Sequence, residues 1–269
     1  MDGTSPVEPS LGHWHALYAT DIQGVYALWV VPVAFLLFIR LVPRQNPSMV
    51  APGASGLMAT YALVFGLETI LDPLAGGLMV RWLGLADGWM ATIVMFAFVL
   101  LGDFRVLLLV FYLLAVGSRA STGRPAEIEL GSVVARAASW TLLVPVATGV
   151  LVGLGRTVAG PLHPQVLWLV YELSFLVLAG WFRHRLIPRT VVAAQAPIAA
   201  YLRDILGYVA IYYALWATAD VLIMAGLDVG WALRILPNQL YYAFYLPVAY
   251  ALFFSSWYVE TSNVTHASR

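Results

Sequence analysis

Seven apolar stretches of about 20 residues or more run through this chain, near residues 24–43, 57–80, 89–117, 131–155, 166–187, 203–226 and 237–258. Each is long enough to cross a hydrocarbon core of roughly 30 Å at a rise of about 1.5 Å per residue. In lipid a backbone must satisfy its hydrogen bonds internally, so stretches of this length read as helices. The expected fold is all-α: a polytopic integral membrane protein built as a seven-transmembrane-helix bundle. Composition agrees, with 61% hydrophobic and 10% charged residues and a mean hydropathy of +0.83, values outside the range of soluble domains. The connecting segments at 43–52, 118–125, 160–164 and 188–197 are short and carry Pro or Gly breakers. A single transmembrane domain over 1–269 is therefore expected, with an extracytoplasmic segment at 1–22 and a cytoplasmic tail at 259–269.

Orientation follows from the arginines. Arg40, Arg44, Arg119, Arg124, Arg183, Arg185, Arg189, Arg203 and Arg269 fall on one side of the expected spans, against Arg81, Arg156 and Arg234 on the other. The positive-inside rule then predicts the amino terminus outside and the carboxyl terminus inside, as an odd number of spans requires. The first residues contain no arginine and no apolar core, so the first span is expected to act as the insertion signal. A bacterial inner (plasma) membrane is the expected location.

Several chemistries are excluded by what the chain lacks. It has no cysteine, which rules out disulfides, thiolate metal sites and a cysteine nucleophile. Its 14 basic side chains are all arginine. Without lysine there is no Schiff base, so the retinal chemistry of seven-helix rhodopsins is excluded and only their shape survives as an analogy. The histidines lie at His13, His15, His163, His184 and His266 and form no helical ligand pair, so no metal site and no cofactor is expected. With zero net charge and no basic run, nucleic acid is not an expected partner.

The informative residues are acids inside the spans, each costing about 2.5 to 3.5 kcal/mol to insert and therefore expected to face the bundle interior with a partner. The second span reads GLETILDPLAGG and places Glu68 and Asp72 four residues apart on one face. Two carboxylates so close resist ionising together, and one is expected to hold a proton. The third span carries Asp103 at mid-membrane and Arg105 two residues on. Side chains two apart do not face each other, so Arg105 is expected to pair with a carboxylate on another helix. The fifth span adds Tyr171 and Glu172, the sixth Trp216 and Asp220, and the seventh is expected to begin with Pro237, Asn238 and Gln239. Depth along the spans places Asp72, Glu172 and Asp220 in one layer about 9 to 12 Å below the outer boundary, with Glu68 and Asp103 one step deeper. Structural pairing of helices by such groups is the bland alternative. It fits the set poorly, because the acids within the spans outnumber the arginines there.

The chain also holds ten Trp, fourteen Tyr and twelve Phe, many on the helices that carry acids. Tyr208, Tyr212, Tyr213 and Trp216 precede Asp220, and Tyr241, Tyr242 and Tyr245 crowd the last span. Interfacial belts account for a large share of these rings. The rest are expected to line a pocket, where aromatic faces stabilise cations. A protonated acid beside such a wall has the ingredients to protonate an alkene or epoxide and guide the carbocation.

In size, span count and the placement of Glu68 and Asp220, the chain resembles the small seven-helix membrane terpene cyclases of meroterpenoid and indole-terpenoid pathways. That resemblance implies isomerase or lyase chemistry on a lipophilic isoprenoid, with Glu68 and Asp220 as the first candidates for general acid and base. The additional acids Asp72, Asp103 and Glu172 depart from the pattern and are expected to tune or relay protons. Arg105 joins them, while Trp216, Tyr212, Tyr245, Tyr171 and Asn238 are expected to contact the substrate. A magnesium-dependent prenyl transferase is disfavoured, since the Glu68–Asp72 pair has no second acidic motif. The rival from another class is a proton-coupled transporter using the same acids. A third reading is a non-catalytic membrane subunit whose pocket holds a lipid or pigment.

Overall fold

A computed structural model describes residues 12–20, 54–75, 84, 88–122 and 128–253. All regular structure among them is helical. The first expected span, 24–43, lies outside the described residues, as do the ends of the second and seventh and the tail at 259–269. Among the described residues the chain forms, in order, α1 (His13–Tyr18), α2 (Ala54–Ala75), α3 (Trp89–Thr122), α4 (Leu130–Ala159), α5 (Gln165–Trp181), α6 (Ala196–Met224) and α7 (Val229–Asn238), with a further α segment at 245–253. Thr92–Ser118, Leu130–Ala159, Gln165–Arg189 and Ala196–Met224 are long and apolar enough to cross a membrane. Large apolar side chains such as Leu142, Val146, Val150 and Leu154 on α4 are more than half exposed or nearly so. A continuous apolar exterior of that kind suits lipid and not water. The chain is a helical membrane protein.

Successive helices pack side by side from α2 to α7. The short connections at 160–164 and 225–228 force α4 and α5, and α6 and α7, to run antiparallel. α3 also touches α6, and the segment after α7 returns to α2, so the bundle closes around a shared interior. That interior is lined by Tyr61, Phe65, Val106, Leu109, Val110, Phe175, Tyr212, Tyr213, Tyr241 and Tyr245.

Two departures from α-helical geometry shape it. After α5 the chain widens to a π-helix over Phe182–Leu186 and tightens to 3₁₀ turns at Ile187–Arg189 and Val191–Ala194, so α6 starts at Ala196 and not at 203. This connector is pinned to α3, where Gln195 Nε2 donates to the carbonyl of Gly117 and Val192 fills space that a Cβ on Gly117 would occupy. The second departure corrects the reading of the last span. Pro237 does not begin it; it lies inside α7, which starts at Val229. Proline removes one backbone bond and clashes with the carbonyl a turn earlier, and the helix passes into a π-helix at Gln239–Phe244 before resuming α form over 245–253. π turns of this sort recur at functional sites.

Two glycines set close approaches between helices. A Cβ on Gly102 would lie 1.7 Å from the Tyr241 hydroxyl, so only glycine lets Tyr241 reach α3. A Cβ on Gly230 would lie 2.8 Å from the Ala219 carbonyl, so glycine draws α7 against α6 and brings Arg234, one turn on, beside Asp220.

Candidate functional site

The acids fall into two groups. The deeper one is organised by Arg105, which is fully buried at the middle of the Thr92–Ser118 span. Its Nη1 donates to Glu68 Oε2 at 2.9 Å and to Thr69 Oγ1 at 2.7 Å, both on α2. Its Nη2 donates to the carbonyl of Tyr241 at 2.8 Å, inside the π turn. The guanidinium also lies 4.6 Å from the ring centroids of both Tyr241 and Tyr245. Arg105 therefore pairs with a carboxylate on another helix, as the two-residue offset from Asp103 requires. Asp72 is buried in the same group, under the charges of Glu68, Arg105 and Asp103. Glu68 Oε1 and Asp72 Oδ2 are buried without a hydrogen-bond partner.

Asp103 looks the other way. Tyr171 of α5 and Tyr213 of α6 each donate a hydroxyl to it, one to each carboxylate oxygen. A cavity of about 10 Å³ adjoins Asp103 between α3, α5 and α6, walled by Val106, Phe175, Val209 and Tyr212. It has the room of one water molecule. The Tyr212 hydroxyl beside it is buried and unpartnered.

The second group sits nearer the end of the bundle where α5 begins and α6 ends. Arg234 forks between two acids, Nη1 to Asp220 Oδ1 at 2.9 Å and Nη2 to Glu172 Oε1 at 3.4 Å. Gln165 Nε2 adds a bond to Asp220 Oδ1 at 3.3 Å. Arg234 is thus a bundle residue of α7, correcting its assignment to a loop. The expected single layer of Asp72, Glu172 and Asp220 also divides. Depth along a helix ignores which way a side chain points, and Asp72 faces the Arg105 group while the other two share Arg234. The same rule separates sequence neighbours, for Tyr171 turns to Asp103 and Glu172 to Arg234.

Between the groups stand rings. Trp216 lies 5.3 Å from Tyr241, 5.5 Å from Tyr212 and 5.6 Å from Tyr213. Its indole Nε1 donates to Asn238 Oδ1 at 2.8 Å. Tyr245 is turned away from this wall, its hydroxyl 3.0 Å from that of Tyr61, which also donates to the Arg105 carbonyl.

Reading residues alone missed Tyr61, Thr69, Gln165, Arg234 and the glycines at 102 and 230 as parts of the site. Gly102 had a visible signal, standing directly before Asp103 within a run of large apolar residues. Among the described residues no three His, Asp or Glu side chains are grouped to hold a metal ion. No family model, curated protein or solved structure matches the chain.

Proposed function

We propose that this protein is an intramembrane enzyme that protonates an alkene or epoxide of a lipophilic isoprenoid and lets the cation cyclise, a membrane terpene cyclase with no metal or cofactor. The reading takes the bundle as seven spans with the amino terminus outside, in a bacterial inner membrane. One observation carries it: buried acids backed by electron-rich ring faces at mid-bundle, in a group organised by Arg105. Two ring faces there, those of Tyr241 and Tyr245, already hold a guanidinium cation, the interaction a carbocation would need.

The geometry refines the roles expected from the sequence. Five buried carboxyl groups, Glu68, Asp72, Asp103, Glu172 and Asp220, face two guanidinium groups, Arg105 and Arg234. Among the described residues these two guanidinium groups neutralise at most two of the five, and the rest need protons or other cations. Glu68 pairs with Arg105, while Asp220 and Glu172 share Arg234. Asp72, with a free oxygen beside Glu68, is the better proton donor, and Glu68 held by Arg105 is its neighbour in charge balance. Asp103 and its two tyrosines, beside a one-water cavity, supply a route for the proton to return. The hydrocarbon is too large for that cavity; in this reading it meets Asp72 beside Tyr241, against which Trp216 and Tyr212 pack.

The test is incubation of purified protein with a prenylated phenol carrying a terminal epoxide. Wild type should give a cyclised product of unchanged mass and altered retention, and Asp72→Asn and Glu68→Gln should give none while keeping their helical spectrum. Full turnover by both variants would discard the assignment. The division of the acids into two depths, with a water-sized void between helices, favours a second reading as a proton-coupled transporter. Vesicles containing the protein would then move protons in a manner that depends on Asp103, and cyclised product would be absent.

A further inference from the structure

The amino-terminal segment folds back on the bundle over more than two hundred residues of sequence. α1 docks against the start of α7, where Asp228 accepts the backbone N–H of Trp14 at 2.8 Å and of His15 at 3.0 Å. Both carboxylate oxygens are used, so the helix's first free donors are satisfied by one side chain supplied from elsewhere in the chain. Gly12 makes this contact fit, because a Cβ there would lie 2.2 Å from Asp228 Oδ1. The His15 ring stacks on Trp231 at 4.2 Å with the planes 4° apart, and Tyr18 lies 5.1 Å from the same indole.

What α1 covers is the Arg234 group. The Tyr18 ring faces the Arg234 guanidinium at 5.9 Å, and the Tyr18 hydroxyl accepts Asn238 Nδ2 at 3.2 Å. Asn238 in turn holds the indole of Trp216. A chain of contacts thus leads from the outermost segment to the aromatic wall.

We infer that residues 12–20 are a latched cover over this end of the site, with Asp228 as the latch and Tyr18 as a positioning residue for Trp216. The inference rests on the geometry of this end of the bundle, whatever chemistry lies beneath. Latched, the segment excludes water from the Arg234 fork and fixes Asn238. Released, it opens a path between α5, α6 and α7 to the acids.

The chain's lack of cysteine makes a direct test available. Ala217 is buried on α6, four residues after Tyr213 and three before Asp220, hence on the face that carries both. In Ala217→Cys, a charged, membrane-impermeant maleimide should react slowly. Adding Asp228→Ala should speed it about tenfold or more, since two charge-assisted hydrogen bonds are lost. Asp228→Asn keeps one acceptor oxygen but sets an NH2 group against the other N–H, and should give an intermediate rate. Equal rates in all three would overturn the inference. Hydrogen exchange gives an independent reading without the reporter. The amides of Trp14 and His15 should be protected in the wild type and exposed in Asp228→Ala while 196–216 stays protected. Free exchange at 14 and 15 in the wild type would overturn it equally.

Discussion

Replacing Arg105 with methionine removes the cation that organises the deeper group among the described residues, while nearly preserving its volume. The lost hydrogen bonds to Thr69 and to the Tyr241 carbonyl are the small part of the cost, about 1 kcal/mol each or less within a membrane. The large part is Glu68, whose carboxylate is 2.9 Å from the guanidinium and almost fully buried. Breaking a buried pair by removing one partner costs about 3 to 5 kcal/mol. At about 2 to 4 °C per kcal/mol for a chain of roughly this size, even the lower figure shifts the unfolding midpoint by roughly 6 to 12 °C. Intrinsic tryptophan fluorescence during heating in detergent reads this directly. The double variant Arg105→Met, Glu68→Met replaces the whole pair with apolar volume and should recover most of the loss, because such replacements are commonly neutral or stabilising. The deficit of the single variant should also shrink as pH falls, since a protonated Glu68 needs no counter-charge. Additive losses in the double variant would refute the pairing argument.

Three further outcomes follow from the packing. Gly102→Ala should lower stability by about 1 to 3 kcal/mol in the same melting assay, as the new Cβ displaces the Tyr241 hydroxyl. Gly230→Ala should push α7 from α6 and lengthen the Arg234–Asp220 contact, costing a similar amount and abolishing any further effect of Asp220→Asn. Tyr171→Phe and Tyr213→Phe each remove one donor from Asp103 and should each cost about 1.5 to 3 kcal/mol, with the double variant departing from additivity because both bonds end on one carboxylate.

The long helices were legible in the sequence because lipid demands uninterrupted apolar runs, and α3 to α6 fall near the expected ranges. Arg105 was legible too, since helical geometry forbids it from facing Asp103. What sequence concealed was azimuth and exception. Spacing along the helix groups Asp72 with Glu172 and Asp220, yet it belongs with Glu68, because the direction a side chain takes around its helix depends on packing partners that spacing does not name. Pro237 looked like a helix start because proline is welcome there, whereas here it lies within a helix that widens into a π turn and presents the Tyr241 carbonyl to Arg105. Arg234 was placed in a loop for the same reason. The docking of α1 left no periodic signal at all, for a six-residue helix is held by contacts two hundred residues away.

The central claim is that a buried carboxylic acid delivers a proton to carbon. Its most direct measurement is the mass of the cyclised product formed from an alkene-terminated prenylated phenol in D₂O, where carboxyl protons have exchanged. A terminating proton loss together with an alkene protonation predicts one deuterium on carbon, absent when Asp72→Asn is used. With an epoxide opened at oxygen the deuterium is carried on the new hydroxyl and washes out, so the alkene-terminated probe is the one that reports. A cyclised alkene product carrying no deuterium, or equal incorporation by Asp72→Asn, would contradict the account.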